Sequence, residues 1–443
     1  MATENSEVGI GLLGLGVVGS RLAKFVLDGN SGSGAFRNKS INLKSVLIRD
    51  PTKDRSLSLP TGMITTNPED VILNPDISII VEVIGGEYPA YDYIKRAIIA
   101  GKHVVTANKE VIAKHGPELS ALATNNGVGL RFEASVGGGI PIISPMVNDL
   151  QANKIDSIRA IINGTTNFIM SKMSTENLDF STALAQAQHL GLAEPDPTSD
   201  VEGIDAVYKL AILASLAFNT HIDPDNIFHE GITHIGAKDF QYAHELDYEI
   251  KLLAISKLEQ NHTLQVRVHP VFLPFGSPLS KIEGSSNAIE IQGDLVNPVI
   301  FSGPGAGATP TISSILSDTA SLVSLIHRQT QSQNIKEIYL KNQFSDNEKI
   351  SISSISELET CYYMRVNVED RGGVLAQIAM IMGNLNISID SVLQKDSNRQ
   401  AQTAELVITT HPSKELSVQK AVTQIRALEC IKSFDNLIRI EGN

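Results

Sequence analysis

Residues 8–27 read VGIGLLGLGVVGSRLAKFVL, and this stretch decides the architecture of the first third of the chain. Val8–Leu13 has the length and apolar composition of a buried strand. It runs into GLGVVG, with Gly14, Gly16 and Gly19 at G-x-G-x-x-G spacing, and apolar residues then recur at helical intervals from Val18 to Leu27. Gly14 permits a tight turn, Gly16 lets backbone approach a pyrophosphate, and Gly19 allows close helix–sheet contact. The helix N-terminus adds N–H donors and a positive dipole end. Alone the glycine spacing is weak evidence, but the flanking strand and helix supply the context it requires. Gly14, Gly16, Val17, Val18 and Gly19 are therefore candidate dinucleotide-binding residues.

Working outward, Asn42–Ile48, Ile77–Ile84, Lys102–Thr106 and Gly129–Glu133 read as further strands, with Ala90–Ala100 a helix between two of them. Strands alternating with helices predict a Rossmann-type parallel sheet over residues 1–135. The choice of dinucleotide is written at the end of the second strand, VLIRDPTKDR. Arg49 and Lys53 suit the extra phosphate of NADP, while Asp50 suits the ribose of NAD; the balance favours NADPH and leaves NADH open. Gly85-Gly86 and Asn108-Lys109 follow the next two strands, at the edge where ligands bind in open α/β sheets. The glycines let backbone approach a flat ring, and Lys109 brings a cation there.

From residue 136 the pattern changes. Ile155–Asn163, Thr263–Leu273, Asn287–Gln292 and Pro298–Ser302 are extended runs, with helices expected at 200–219 and 242–258. This pattern predicts an α+β domain over 136–310 with a second, more open sheet. GPGAGATPT at 303–311, with Gly305, leads into a helical run, and 311–330 is expected to pack back on the first domain. Residues 331–360, rich in Gln, Asn, Ser and Lys, read as a linker. Residues 361–443 give the order βαββαβ of a ferredoxin-like module.

Composition narrows the class of function. Of 443 residues, 42% are hydrophobic and 19% charged, which is ordinary for globular domains, and the net charge of −13 argues against nucleic-acid binding. Two cysteines, Cys361 and Cys430, provide no disulfide framework and no Cys-rich metal site. There is no signal-like N-terminus and no apolar run of membrane-spanning length. The expectation is a cytoplasmic protein acting on a small molecule, away from membranes.

AEPDPTSDVEGIDAVYK, residues 193–209, gathers Glu194, Asp196, Asp200, Glu202 and Asp205 before a single base, Lys209. Pro195 and Pro197 stiffen the loop, and Asp200 is a candidate N-cap for a helix through Phe218. Asp205 and Lys209, four residues apart, share a helix face. LAILASLAF beyond them is uncharged, so that helix is buried. The chemistry of these residues admits two readings. One is a structural ion pair worth a few tenths of a kcal/mol. The other is a lysine, balanced by carboxylates, that protonates a developing alkoxide.

The run Ala187-x3-Gly191-Leu192-Ala193-x2-Asp196-Pro197-x2-Asp200-Val201-x-Gly203-x-Asp205-x3-Lys209 resembles the signature of the homoserine dehydrogenase family. The resemblance extends through GLGVVG, VEVIGG, TANKE, EASVGGGIPII, NGTTNFI and GPGAGATPT, covering nearly all of residues 8–327. It implies reversible nicotinamide-dependent reduction of aspartate 4-semialdehyde to L-homoserine, a step toward threonine and methionine. By it, Lys209 is the proton donor, Asp205 its polar partner, and Lys109 a further catalytic residue beside the nicotinamide. Glu194 binds the substrate ammonium, with Asp200, Gly164 and Thr165 nearby. Gly85, Gly86, Lys109 and Gly305 join the cofactor site. The backbone of Glu133, Val136, Gly138 and Ile140 matches a monovalent-cation loop, expected to take sodium.

YYMRVNVEDRGGVLAQIAMIMGNLNISIDSV at 362–392 resembles an ACT domain. The usual D-x-P-G turn is Asp370-Arg371-Gly372-Gly373 here, and Gly372 removes the rigidity of proline. This second resemblance implies L-threonine as an effector, while the homoserine dehydrogenase resemblance implies that 136–310 is the substrate-binding and dimerisation domain of a homodimer or homotetramer. Removing residues 355–443 is expected to leave activity while abolishing threonine inhibition. No aspartate-kinase-like segment precedes residue 8, so the stand-alone form is expected. Another NADP-linked oxidoreductase would share the first domain but has no reason to carry the 187–209 signature.

Overall fold

The computed structural model describes residues 7–29, 41–53, 55, 57–329, 344, 350–398 and 402–442. Strand β1, Val8–Leu13, is buried along its whole length, as a central parallel strand must be when helices cover both faces. It is followed by helix α1, Val17–Leu27, which buries Gly19, Leu22, Ala23 and Val26 on one side. Further strands are β2 (Ile41–Leu47), β3 (Ile64–Thr65), β4 (Ile79–Glu82), β5 (His103–Thr106) and β6 (Leu130–Arg131). They form a six-stranded sheet ordered β3-β2-β1-β4-β5-β6, with all five pairings parallel. Helices α2 (Glu69–Ile72), α3 (Ala90–Ile99) and α4 (Lys109–Asn125) alternate with these strands. The strand order reverses direction at β1 and β4, which is where a doubly wound sheet opens a ligand crevice.

The chain divides into two compact units. The first comprises Met1–Asp156, Tyr208–Asn226 and Ile291–Lys349. Its core joins Leu12, Val46, Ile79 and Val81 of the parallel sheet to Ile312, Ile315, Leu322 and Val323. The latter four belong to the 22-residue helix Ala308–Gln329. Residues 331–343 and 345–349 of the expected linker lie outside the described residues.

The second unit comprises Ser157–Val207, Ile227–Glu290 and Ile350–Asn443. Strand β7 (Ile155–Ile161) precedes helices α5 (Gly164–Glu176), α6 (Phe180–His189) and α7 (Thr198–Val201), which the sequence reading did not separate from the extended runs around them. Helix α8 (Ile204–Ala217) continues into the first unit. Strand β8 (Phe228–His229) and helix α9 (Ala237–Glu245) precede the long strands β9 (Tyr248–Leu258) and β10 (Thr263–Pro274).

Two expectations are corrected. The helix expected at 242–258 ends at Glu245, and Tyr248–Leu258 is a strand paired antiparallel with β10 along its length. Ile250–Ser256 of this strand is buried continuously, so the period-2 alternation that would mark it is absent, and a short apolar run does not distinguish strand from helix. Asp200 also does not cap the helix that carries Lys209. It lies inside α7, and Gly203, at φ +81°, breaks the chain before α8 begins at Ile204.

In the C-terminal module, strands Glu359–Glu369, Ile389–Asn398, Thr403–Thr410 and Ile431–Ile440 carry the helices Val374–Asn384 and Glu415–Arg426 between them. The strand order 4-1-3-2 with antiparallel pairing is ferredoxin-like. The module is joined to β10 through its last strand, with Val271 opposite Arg439 and Phe272 opposite Ile440. Gly373 stands at the helix start with φ +89°, a conformation that glycine adopts without strain.

Candidate active site

In the first unit the dinucleotide motif is built as its spacing requires. A Cβ at Gly19 would stand 2.1 Å from the Gly14 carbonyl oxygen, so only glycine lets α1 sit this close to the turn. A Cβ at Gly16 would meet nothing within 4 Å, and Val17 is 80% exposed. The N-terminus of α1 thus faces open space with no capping side chain and no acidic residue in its first turn. This arrangement fits a dinucleotide pyrophosphate. Val18 is half-buried beside it.

Beyond β2, Arg49 and Lys53 are exposed. Asp50 is engaged locally: one carboxylate oxygen accepts from the Thr52 amide at 2.8 Å and its hydroxyl at 2.7 Å, and these bonds hold the carboxyl below its usual range. Arg55, which the sequence reading passed over, donates to the carbonyls of Lys53 and Asp50, both at 2.8 Å, and braces the loop.

At the ends of β4 and β5 a buried acid organises two turns. Glu82 is fully buried and accepts from the Ile84 amide at 2.6 Å and the Thr106 hydroxyl at 2.5 Å. Burial pushes its carboxyl up, against the pull of these bonds. Thr106 accepts from the Asn108 amide, and Asn108 in turn donates to the Gly86 carbonyl at 2.7 Å and caps α4 by accepting from Val111. Gly86 is thereby tied to Asn108, the cap that directly precedes Lys109, the first residue of α4. One turn along, the Lys114 ammonium sits 5.7 Å from the centre of the Tyr208 ring. Tyr208 is adjacent to Lys209, so this contact brings α4 beside the Lys209 segment within the first unit.

The loop 133–140 is also fixed there. The buried Glu133 carboxylate accepts from the amides of Ile142, Ile143 and Ser144 at 2.6–2.8 Å. Its own amide donates to Asp318 at 2.9 Å. Gly138, at φ +56°, would place a Cβ 2.4 Å from the Gly305 carbonyl oxygen, so Gly305 packs on this loop. The Gly138 carbonyl accepts from the Ser314 hydroxyl at 2.6 Å. Val136 and Ile140 are buried within the loop. Among the described residues no group of three or more His, Cys, Asp or Glu could hold a metal ion. A hard cation would therefore rely on backbone carbonyls.

In the second unit, Asn163 brings the acidic residues together. Its side chain caps α5 by accepting from Thr166 at 2.8 Å, and its amide nitrogen donates to Asp200 at 2.6 Å and to Asp205 at 2.9 Å. Asn163 and Asp205 are buried, and Asp205 is 3% exposed. Gly164 and Thr165 begin α5, and the Thr165 hydroxyl donates to the Leu192 carbonyl at 2.8 Å. Glu194 lies exposed in the loop that Gln188 holds through the Glu194 carbonyl. Asp196 accepts from the Thr198 amide and hydroxyl, which keep its carboxyl below the usual range. It is a turn-forming residue here. Asn163 was not singled out from the sequence, although a polar residue between a strand and a helical run is an N-cap signal. Lys209, which belongs to the first unit, follows Asp205 by four residues along α8 and is half-buried.

Known proteins are similar to this chain along most of its length. Protein-family models match residues 14–133 as the homoserine dehydrogenase NAD-binding domain, 141–320 as homoserine dehydrogenase and 362–430 as an ACT domain. The homoserine dehydrogenase of Synechocystis sp. is 40% identical over 98% of this chain and 99% of its own length. The crystal structure of a homoserine dehydrogenase from Thiobacillus denitrificans superposes with a TM-score of 0.90 at 37% identity, covering 98% of each chain. A hyperthermophilic archaeal homoserine dehydrogenase in complex with NADPH gives a TM-score of 0.59 at 27% identity, over 72% of this chain and 98% of that one. The chain therefore belongs to the homoserine dehydrogenase family, as an oxidoreductase with a Rossmann-type NAD-binding domain, a mixed-sheet domain and a C-terminal ACT domain.

Proposed function

We propose that the protein interconverts L-aspartate 4-semialdehyde and L-homoserine with NADP(H), in the cytoplasmic route to threonine and methionine. The observation that carries this reading is the buried Asp205 carboxylate, held by Asn163 one helical turn before Lys209. NADPH, when bound, supplies the hydride that reaches the aldehyde carbon. Lys209 then donates a proton from Nζ to the aldehyde oxygen as its C=O double bond becomes a C–O single bond, yielding the alcohol. General acid catalysis of this kind contributes roughly 10²–10⁴-fold. Asp205 and Asp200 orient the substrate, with Glu194 receiving its ammonium and Gly164-Thr165 lining the same site. Lys109 would be a further catalytic residue beside the cofactor.

Gly14, Gly16, Val17, Val18 and Gly19 would hold the pyrophosphate of the dinucleotide, and Gly85-Gly86 and Gly305 would complete its site. Preference for NADPH rests on Arg49 and Lys53 and on the local engagement of Asp50, whose free acceptor capacity for a ribose hydroxyl is reduced. A relative was solved with NADPH bound. Sodium is the ion inferred for the carbonyls of Glu133, Val136, Gly138 and Ile140. L-Threonine is the effector inferred for the ACT domain, and a homodimer or homotetramer the assembly.

Homoserine-dependent reduction of NADP by the purified protein tests the reading, with NAD as the parallel cofactor and L-threonine as the added effector. Absence of turnover with either dinucleotide would overturn it.

A further inference from the structure

Arg439 lies on the last strand of the C-terminal module, yet its side chain is 2% exposed and reaches beyond that module. Nε and Nη2 donate to the two Glu415 carboxylate oxygens at 2.8 and 2.7 Å, inside the module. Nη1 donates to Glu230 Oε2 at 2.7 Å, and the guanidinium carbon stands 5.1 Å from the centre of the Phe228 ring. Phe228 and Glu230 belong to a short strap, residues 228–231. Strand β10 holds it through parallel pairing of Phe228 and His229, and the Glu230 amide donates to Val268 at 2.8 Å.

The far side of the strap bears on the turn between α7 and α8. A Cβ at Gly231 would stand 2.4 Å from the Val201 carbonyl oxygen and 2.8 Å from Glu202 Cα, so a side chain there forces the turn to move. The Ile232 amide donates to that same carbonyl at 2.9 Å. Gly203 approaches the strap from the turn: its Cβ would meet Glu230 O at 3.6 Å and Val268 at 3.4 Å. Val201 directly follows Asp200, and Gly203 stands two residues before Asp205. The strap is thus enclosed between a rigid guanidinium and the backbone that presents both carboxylates.

We propose that Arg439 is a positioning residue for the amino-acid substrate. Its planar fork fixes Phe228 and Glu230, and the strap, through Gly231, fixes the Val201–Gly203 turn and with it Asp200 and Asp205. Packed backbone transmits such a constraint because it has no slack to absorb a displacement. The proposal rests on the reading of Asp200 and Asp205 as substrate-binding residues. It makes the last strand of the ACT module a determinant of homoserine affinity and leaves dinucleotide affinity untouched.

Full-length Glu230→Gln, Gly231→Ala, Arg439→Met and the double variant Glu230→Gln/Arg439→Met test it, with Asp205→Asn as reference. Homoserine and NADP are varied in turn under saturation of the other. Glu230→Gln and Gly231→Ala are expected to raise the homoserine KM about five- to twentyfold while kcat and the NADP KM change less than about twofold, and the double variant should match Arg439→Met, because coupled residues are not additive. The Glu230 side chain is 34% exposed, so its isosteric change keeps the fold even if Arg439→Met does not. An unchanged homoserine KM in folded Glu230→Gln and Gly231→Ala, beside an impaired Asp205→Asn, overturns the positioning role alone. Equal rises in both KM values overturn it as well. Unaltered kinetics in Asp205→Asn overturn the substrate-site reading on which it rests.

Discussion

Asn163 donates one amide to two carboxylates, Asp205 at 2.9 Å and Asp200 at 2.6 Å. Its carbonyl is held by the Thr166 amide, so the amide cannot turn away. Asn163→Ala removes a neutral bridge between these two anions and the cap of α5. A hydrogen bond to a charged group is worth about 1.5–3 kcal/mol, so kcat/KM for homoserine should fall about 10- to 150-fold. Asn163→Asp, which adds a third negative charge, should fall further. Steady-state kinetics with homoserine check both, and parental kinetics in the alanine variant would remove the bridge from the site.

Lys209→Ala should lower kcat by roughly 10²–10⁴-fold, the contribution of a general acid, while NADPH binding followed by fluorescence stays near the parental affinity. Lys209→Arg separates charge from proton donation. Guanidinium keeps the positive charge but does not release a proton in the neutral range. It should recover homoserine affinity and very little turnover. Turnover close to parental in either variant rules out Lys209 as the donor.

Arg49→Ala should raise the KM for NADPH about ten- to a hundredfold, the scale of a lost charge-assisted bond to phosphate, and leave that for NADH within about twofold. Asp50 does not compensate, because Thr52 already occupies one of its oxygens. Equal effects on both cofactors would point to a loss of loop structure, which Arg55→Ala provides as a comparison through its bonds to Lys53 and Asp50.

The C-terminal module is less separable than its sequence suggests. Arg365 donates to Asp239 of α9 at 2.7 Å and to Glu405 and Asp435 at 3.2 and 3.0 Å, and Asp239 is fully buried. The Tyr363 hydroxyl and the Asn436 amide also donate to Asp239, while Arg267 of β10 pairs with Glu441. Burial alone would raise the Glu415 carboxyl, and the Arg439 bonds and charge outweigh it and hold it low. Breaking a buried pair by removing one partner costs about 3–5 kcal/mol. Arg365→Ala should therefore lower the urea midpoint markedly. Deleting 355–443 would strand Asp239 and Arg267 together and remove the strand that pairs with β10 at Val271 and Phe272. The truncated chain is expected to be insoluble or unfolded, and a soluble, active, threonine-insensitive fragment would refute this.

What could be read from the sequence follows from how local each signal is. Strand β1 was placed residue for residue because the glycine spacing fixes where the strand ends and the helix begins. The βαββαβ order was legible because each element carries its own periodicity. Strand β9 was misread because its buried run has no alternation to betray it. Asp200 was placed at a cap because its type suits one, but Gly203 takes an αL conformation that ends α7 first. Pairs such as Arg365–Asp239, 126 residues apart, leave no local pattern at all. Glu82 and Asn163 were passed over for the same reason: their importance lies in what they reach, and only the fold shows that.

His103 supplies a pH-dependent contribution with a definite sign. It is 6% exposed on β5, and its Nδ1 accepts from the Gly129 amide at 2.9 Å, which requires a neutral ring protonated on Nε2. Burial first, and then the charge of Arg131, push its pKa down to about 4 from an ordinary 6.5. The unfolded chain therefore binds a proton that the folded chain refuses between these values, and stability contributed by the neutral ring is lost as pH falls from 6.5 toward 4. A shift of this size corresponds to about 3 kcal/mol. His103→Asn retains an acceptor for Gly129 and cannot be protonated, so it should cost some packing at neutral pH but show a shallower loss of stability on acidification. Urea unfolding of parent and variant at several values between pH 6.5 and 4 measures the difference. Parallel curves would show that His103 contributes none of the acid sensitivity. A variant curve steeper than the parent's would mean that the sign assigned to the buried imidazole is wrong.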